Sequence, residues 1–479
     1  MGNAIKTVKL KLYKPNKGKT DYLLETKMMY DKALDFFINF IVSNSLVLEE
    51  RFPLRAIESL CLKDFYQQFP GFPSVTKRSV INAAIGMVQG YLSNYENWKK
   101  SGSKKDEPHM PTASTMPTFY KGDYGIEYAD IQNQFIRLRV YNGNEWILAN
   151  YPVKFTQQFL TLYAENEKAK EYNKDRSQYK KLLKQEGLDK KEIKASMSQY
   201  PVNPYWECLS PSLSFDERKH EWYICFPFKK EIKVDKIEEQ IKNGSIKRTL
   251  AVDLGLHHTA VVTIMEGNKL IYTEFIDTND IDDIRYERLI KITEHQRLSG
   301  TPTKGVHSDK ELWQSIYNIN NDTAHKISRK IVGLALQYNC QIIIFEKLSG
   351  FKAKKKQSKA KKLNLKLNYW MYGKIIEYTK YKAYAEGILT KQVNPFMTSQ
   401  ICYKNELAGE RFSPADINGK SLIMFTDGTI LNADFNGSMN LHRKFWRTFP
   451  SLKGRKLKEE KKEIKKQIIE KTSQQCGAA

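Results

Sequence analysis

The 479-residue sequence predicts a multidomain chain, α/β in its second half and α+β in its first. Three observations lead there. From Lys247 onward, short apolar runs that read as strands alternate with long helical stretches. Before Lys247, half-exposed alternating segments flank helices rich in charge. A chain of this length also exceeds what one core organises, and the prior is roughly two to four domains.

AIKTVKLKLYKP alternates apolar Val8, Leu10 and Leu12 with lysines, a strand with one wet face. From Tyr22 to about Leu48 the period becomes helical, with Met28, Ala33, Phe36, Phe37, Phe40 and Ile41 on the apolar face. A second helix is predicted from about Lys77 to Trp98, carrying Ile81, Ile85, Val88, Tyr91, Leu92 and Tyr95. The Pro- and Ser-rich stretch from Ser101 to Phe119 reads as a loop. QFIRLRVYNGNEWILANYP predicts a hairpin turning at Asn142-Gly143-Asn144. Residues 157–200 are helical and dense in charge, either a solvated pair or a nucleic-acid contact. SLSFDERKHEWYICFPF predicts a second hairpin, with Trp222, Ile224 and Phe226 on one face.

In the second half, TLAVDLG, TAVVTIM and KLIYTEFI read as three strands, the last two joined at Gly267-Asn268. A helix from about Lys310 to Tyr338 leads into the apolar strand QIIIFEK. Then come the loop KAKKKQSKAKK, a helix through Tyr384, the strand ILTKQV, the hairpin SLIMF to TILNADF turning at Asp427-Gly428, and a terminal basic helix. A strand bearing Asp, two antiparallel partners, a helix and a strand ending in Glu is the order of the ribonuclease H-like fold. Such folds place ligands at strand ends, where residues distant in sequence meet.

Asp253 in LAVDLGL and Glu346 in IIIFEKL end such apolar runs, and Asp434 in NADFNGSMNL stands at a helix start. They are spaced by about ninety residues each. A carboxylate in a buried strand loses hydration at high cost unless it is paired or bound to a cation. Several converging carboxylates without His or Cys favour Mg²⁺, with Mn²⁺ as the alternative. Two such ions are the standard means of hydrolysing a phosphodiester. Asp253, Glu346 and Asp434 are therefore the candidate catalytic residues and metal ligands.

Composition agrees with a polyanionic partner. Lys and Arg total 78 against 54 Asp and Glu, a net charge of +24 with a pI near 9.4. Such a field draws nucleic acid with strong salt dependence. A membrane partner is not expected: no apolar run reaches spanning length, no signal peptide opens the chain, and MGNAIK lacks the Ser or Thr of a myristoylation site. Six scattered cysteines without a CxxC pair suit a reducing cytoplasm.

The series LAVDLGL, HKISRKIVGLA entering IIIFEKLSG, YKAYAEGI to VNPFMTSQIC, and NADFNGSMNL resembles the RuvC-type nuclease domain of transposon-encoded TnpB proteins and compact type V CRISPR effectors. The resemblance covers about 200 residues by motif; upstream it is one of architecture. It implies an oligonucleotide-binding-like β-barrel (wedge) interrupted by a helical recognition lobe, followed by the RuvC nuclease. The implied boundaries are 1–20 for the first wedge strand, 21–115 for the helical lobe and 116–246 for the rest of the wedge. The nuclease then spans 247–395 and 433–479 around a target-nucleic-acid-binding subdomain at 396–432. It also implies an RNA-guided DNA endonuclease in a prokaryotic cytoplasm, associated with the nucleoid when acting. Its implied partners are a guide RNA, target double-stranded DNA and the displaced single strand, bound as monomer or homodimer on the RNA. The family's four-cysteine zinc site after TSQIC is not matched. Only Cys402 remains, and tetrahedral zinc needs four ligands, so no zinc is expected.

Two further readings stay in view. Guided proteins that bind without cutting typically lose one or more of the acids, and all three are present here. An unguided resolvase or transposase fits less well, since the usual transposase order is Asp, Asp, Glu. The lysines of the loop, Lys352, Lys354, Lys355, Lys356, Lys359, Lys361 and Lys362, are assigned to nucleic-acid contact because they closely follow Glu346; a solvated loop is the alternative. Arg329 joins them, four residues from His325 on one helical face, where packing is an equal reading. His257 and His258 read as exposed or capped, Asp427 as a turn residue, and Glu266 and Asp277 as surface acids.

Overall fold

The computed structural model describes residues 2–13, 15–102, 106–126, 128–255, 258–299, 309–347, 371–412 and 421–448. The chain divides into two units, one of residues 3–231 and one running from residue 232. The loop lysines from Lys352 to Lys362, His257 and the terminal basic helix lie outside the described residues.

The first unit contains β1 (Gly2–Lys11), α1 (Lys17–Ser43), α2 (Pro53–Gln68), α3 (Ser74–Lys100), β2 (Tyr124–Gly125), α4 (Tyr128–Gln132), β3 (Phe135–Tyr141) and β4 (Trp146–Pro152). It continues with α5 (Gln157–Gln185), α6 (Lys190–Gln199), β5 (Glu207–Cys208), β6 (Ser212–Asp216) and β7 (Glu221–Ile232). Helix α1 starts earlier than its periodicity suggested, at Lys17, because the Asn16 side chain accepts from the Lys19 amide at 2.9 Å. Met28, expected on the apolar face, is 51% exposed; Tyr30, Ala33, Leu34, Phe37 and Ile38 hold that face instead. Helix α2 was not anticipated, although Ile57, Cys61 and Phe65 recur at helical spacing behind Pro53. Phe65 stacks on Phe37 with centroids 4.8 Å apart, which joins α2 to α1.

Both expected hairpins form. Strands β3 and β4 pair antiparallel across a turn where Gly143 takes φ +93°, and β6 pairs with β7. The sheet β2-β3-β4 and the sheet of β1, β5, β6 and β7 bury a common core. Bridges at Leu12–Val153 and Thr118–Ser212 tie them together.

The second unit contains α7 (Ile237–Lys242), β8 (Arg248–Asp253), β9 (Ala260–Glu266), β10 (Lys269–Ile276), α8 (Asn279–Ser299), α9 (Lys310–Gln337) and β11 (Ile342–Glu346). Then follow α10 (Tyr372–Ala385), β12 (Leu389–Val393), β13 (Gly409–Arg411), β14 (Leu422–Phe425), β15 (Ile430–Asn432) and α11 (Ala433–Arg447). Helix α8 escaped the sequence reading because its charges surround it and leave little periodic signal. Five strands form one sheet in the order β10-β9-β8-β11-β12. The pairs β10–β9 and β9–β8 are antiparallel, while β8–β11 and β11–β12 are parallel.

Strand alternation sends Leu250, Val252, Ile343 and Phe345 to one face, packed with Ala324, Ile327 and Ile331 of α9. Ala251, Ile342 and Ile344 go to the other, against Leu441 and Phe445 of α11. Beneath α11 lies a buried polar seam. His442 Nδ1 is 2.7 Å from Thr249 Oγ1 and its Nε2 is 3.1 Å from Thr263 Oγ1, which in turn meets Ser438 Oγ at 2.6 Å. Burial pushes the His442 imidazole down to about 3. An unfolded imidazole titrates near its ordinary value of about 6.5. Between these values the unfolded state binds the extra proton, so stability is intact above about 6.5 and is lost as pH falls toward 3. The expected slope is about 1.4 kcal/mol per pH unit below 6. Thermal melts from pH 7.5 to 5 should show it in the wild type, and a flatter profile in His442→Gln.

Among the described residues no helix is long and apolar enough to cross a membrane, and the five described cysteines are free.

Candidate active site

The parallel register brings the first two acids together. Ile344 pairs with Ala251 and Phe345 with Val252, so the next step of the ladder sets Glu346 beside Asp253. Both follow the parity of Ala251 and Ile344, and therefore face α11. The third acid comes from that helix. Asn432 caps α11 by accepting from the amides of Asp434 and Phe435, both at 3.0 Å, which places Asp434 in its first turn.

Helix and strand meet closely at one point. A Cβ on Gly437 would lie 2.3 Å from Asp253 Oδ2, so any side chain there would displace either the carboxylate or α11. On the other side, a Cβ on Gly255 would lie 3.5 Å from Asp434 Oδ2. The glycine of LAVDLGL thus lines the carboxylate cluster.

Electrostatics bind the three into one group. Burial raises the Asp253 carboxyl well above the usual carboxylate range, and the charges of Glu346 and Asp434 raise it further; Arg411 partly offsets them. Burial also raises Glu346, against the hydrogen bond from Thr398 and the charge of Lys444. Arg411 of β13 lies 3.8 Å from Asp434. Nearby acidic oxygens that resist shared ionisation are a donor set suited to a hard divalent cation. Among the described residues, however, no group of three or more His, Cys, Asp or Glu side chains is gathered tightly enough to hold an ion as it stands. Glu346 is turned onto Thr398, whose hydroxyl donates to Oε1 at 2.6 Å.

Thr398 is itself held from behind. Its carbonyl accepts from Asn440 Nδ2 at 2.9 Å, and Ile401 O accepts from Asn440 at 2.6 Å and from Asn436 at 2.7 Å. The Tyr403 amide donates back to Asn436 Oδ1 at 3.0 Å. Two buried asparagines one helical turn apart therefore clamp segment 398–403 to α11. The same segment enters the small sheet β13-β14-β15, whose core is Cys402, Ile423, Phe425 and Ala433. The sequence reading missed Thr398, Arg411, Asn436, Asn440 and His442 as site residues. The i, i+4 spacing of Asn436 and Asn440, on a helix otherwise buried by small residues, was the available signal.

The remaining candidates lie elsewhere. Arg329 is exposed on α9, which packs on the opposite face of the sheet from α11. His258 Nδ1 is 2.7 Å from Asp277 Oδ1, and Arg248 pairs with Glu266 at 3.0 Å, so these are paired surface groups. Asp427 accepts from the Thr429 amide at 3.0 Å, and Gly428 takes φ +82°, as a turn requires.

The order and directions of the five strands are those expected of a ribonuclease H-like sheet, with two acids on adjacent strand ends. Comparison with known proteins gives the lineage. The Cas12f1-like TNB domain model matches residues 372–441, from α10 through the small sheet into α11, and the Aq_aa04 family model matches residues 6–142. The TnpB-like protein aq_aa05 of Aquifex aeolicus is 31% identical over 240 residues, 47% of this chain and 74% of that protein. The chain belongs to the TnpB-like family, within the superfamily that includes the type V effectors. CRISPR-associated endodeoxyribonuclease Cas12f2 of a Micrarchaeota archaeon is 26% identical over 235 residues, 47% of this chain but 40% of that protein. The cryo-EM structure of a Cas12f1–sgRNA–target DNA complex superposes on 88% of this chain and 81% of its own, with a TM-score of 0.50 and 11% identity, a likeness of fold.

Proposed function

We propose that the chain is an RNA-guided DNA endonuclease that hydrolyses target DNA at one RuvC-type site. The observation that carries this reading is the convergence of Asp253, Glu346 and Asp434, from two strand ends and a helix start, into one electrostatically coupled cluster. Family membership and a charge of +24 support nucleic acid as substrate and partner. A bound RNA would supply sequence specificity by base pairing, while the first unit would hold that RNA and read a short flanking motif.

Asp253, Glu346 and Asp434 would hold two Mg²⁺ ions. When bound, these activate the attacking water and offset charge on the leaving 3′ oxygen. Around them, Thr398 fixes the direction in which Glu346 presents its oxygens, and Arg411 tempers the charge of Asp434. Segment 396–432 would fold without zinc, on the apolar core around Cys402.

Thr398→Val leaves Glu346 without its hydroxyl donor. It should lower single-turnover cleavage about 10–100-fold, as loss of a ligand's supporting hydrogen bond does elsewhere. Thr398→Ser should stay near wild type, and time courses at saturating RNA measure both.

The reading as a whole is tested by purifying the protein from its native locus and sequencing the RNA that accompanies it. A discrete RNA with a constant structured part and a variable end supports guided action. Heterogeneous RNA removed by salt contradicts it and leaves an unguided nuclease.

A further inference from the structure

We propose that the outer face of α9 and α10 is a docking site for an unpaired RNA strand, separate from the carboxylate site. Tyr317, Asn321, His325 and Arg329 recur every four residues along α9, a row about 18 Å long at the helical rise of about 1.5 Å per residue. Helix α10 lays Lys374, Tyr378, Tyr381 and Lys382 beside them.

The aromatic part is built in layers. His325 lies on Tyr378 with ring centroids 4.0 Å apart and planes within 9°, and Tyr381 stands edge-on to Tyr378. Tyr317 is 53% exposed and Tyr381 41% exposed, so rings of considerable area face water. Tyr378 also packs against the core of the sheet, but Tyr317 and Tyr381 do not, and the apolar residues joining α9 to the sheet, such as Ala324, Ile327 and Ile331, point the other way.

The cations are held among these rings. Lys374 Nζ sits 4.1 Å above the Tyr317 ring and donates to Asn321 Oδ1 at 2.6 Å. Lys382 Nζ donates to His325 O at 2.8 Å and Ser328 Oγ at 2.7 Å, and lies 6.0 Å from the Tyr378 and Tyr381 rings. Arg329 is exposed, and its charge reaches His325 and Tyr381. Burial, and then the charges of Lys382 and Arg329, hold His325 below the ordinary imidazole range, which favours the neutral ring in this stack. Of the acids here, Asp322 is paired with Lys326 at 2.7 Å, which leaves Glu377 as the counter-charge beside Tyr378.

Exposed flat rings interleaved with positioned cations suit bases that are free to stack and a phosphate backbone that runs beside them. The face lies across α9 from the sheet, whereas Asp253 and Glu346 lie on the sheet's other side. A strand held here is not the strand being cut, which favours RNA retained by the protein over DNA passing to the carboxylates. The proposal depends on the guided-nuclease reading for the identity of the strand, not for the site.

The test measures anisotropy of labelled single-stranded RNA and DNA of one sequence with the full chain, wild type and Tyr317→Ala/His325→Ala/Tyr381→Ala. The triple variant should lose about tenfold or more in RNA affinity, in line with the loss of stacked bases. Tyr317→Phe/Tyr381→Phe should bind as wild type, and Arg329→Ala should reduce the salt slope by about one. Retained folding is read from an unchanged thermal melt. Loss for RNA exceeding loss for DNA supports the proposal. Wild-type RNA affinity in the triple variant overturns it, as does equal loss for DNA or a change in self-association alone. The guided reading fails separately, if no discrete RNA accompanies the wild-type protein.

Discussion

Asp253→Asn should cut cleavage by at least about a thousandfold while making the protein more stable in cation-free buffer. The two effects share one cause. Asp253 is buried against Gly437 and repelled by Glu346 and Asp434, so at neutral pH its ionised form costs folding free energy. Its folded value is raised, and the cost is present above that value and relieved as pH falls through it. Asn keeps the shape and removes the charge, for an expected gain on the order of 1–3 kcal/mol near pH 7.5 that shrinks toward acid pH. Mg²⁺ should raise the melting temperature of the wild type and much less that of the variant. RNA retention should be unchanged. Melts with and without Mg²⁺, beside a cleavage time course, measure all of this. A variant that cuts normally would remove Asp253 from the site.

Gly437→Ala and Gly333→Ala should have opposite signs. Both glycines lie within helices, where Ala is ordinarily favoured by about 1 kcal/mol. At Gly333 an added Cβ meets nothing within 4 Å, so the variant should gain up to about 1 kcal/mol and cut normally. At Gly437 the same methyl would fall 2.3 Å from Asp253 Oδ2. Either the carboxylate or α11 must move. The expected cost is about 1–3 kcal/mol in stability and about a hundredfold in cleavage, because an ångström of misplacement at reacting groups is expensive. Parallel denaturation and single-turnover assays separate the two positions. Equal behaviour would mean that α11 does not rest on Asp253.

The positions of the three acids at element ends were legible because each ends or begins an element whose own signal is strong. The apolar runs before Asp253 and Glu346 are those of central strands buried on both faces, and NADF combines a helix cap with an acid in the first turn. The hairpins at Asn142-Gly143 and Asp427-Gly428 were legible from turn chemistry. What supports the acids was not. Thr398 reaches Glu346 across 52 residues of sequence, and Asn440 reaches Thr398 across 42. No local period encodes such a pairing. His442 reads as any helical histidine until Thr249 and Thr263 are placed beneath it. Met28 was misassigned: at about 100° per residue it lies opposite the face made by Leu23, Tyr30, Ala33, Leu34, Phe37 and Ile41, and it is exposed.

Asp253, Glu346 and Asp434 are proposed to make one divalent-cation site. Anomalous diffraction from crystals of the protein with RNA, soaked in Mn²⁺, addresses it most directly. Manganese peaks are expected between these three carboxylates, lost in Asp253→Asn. Manganese bound elsewhere with none at this cluster would contradict it.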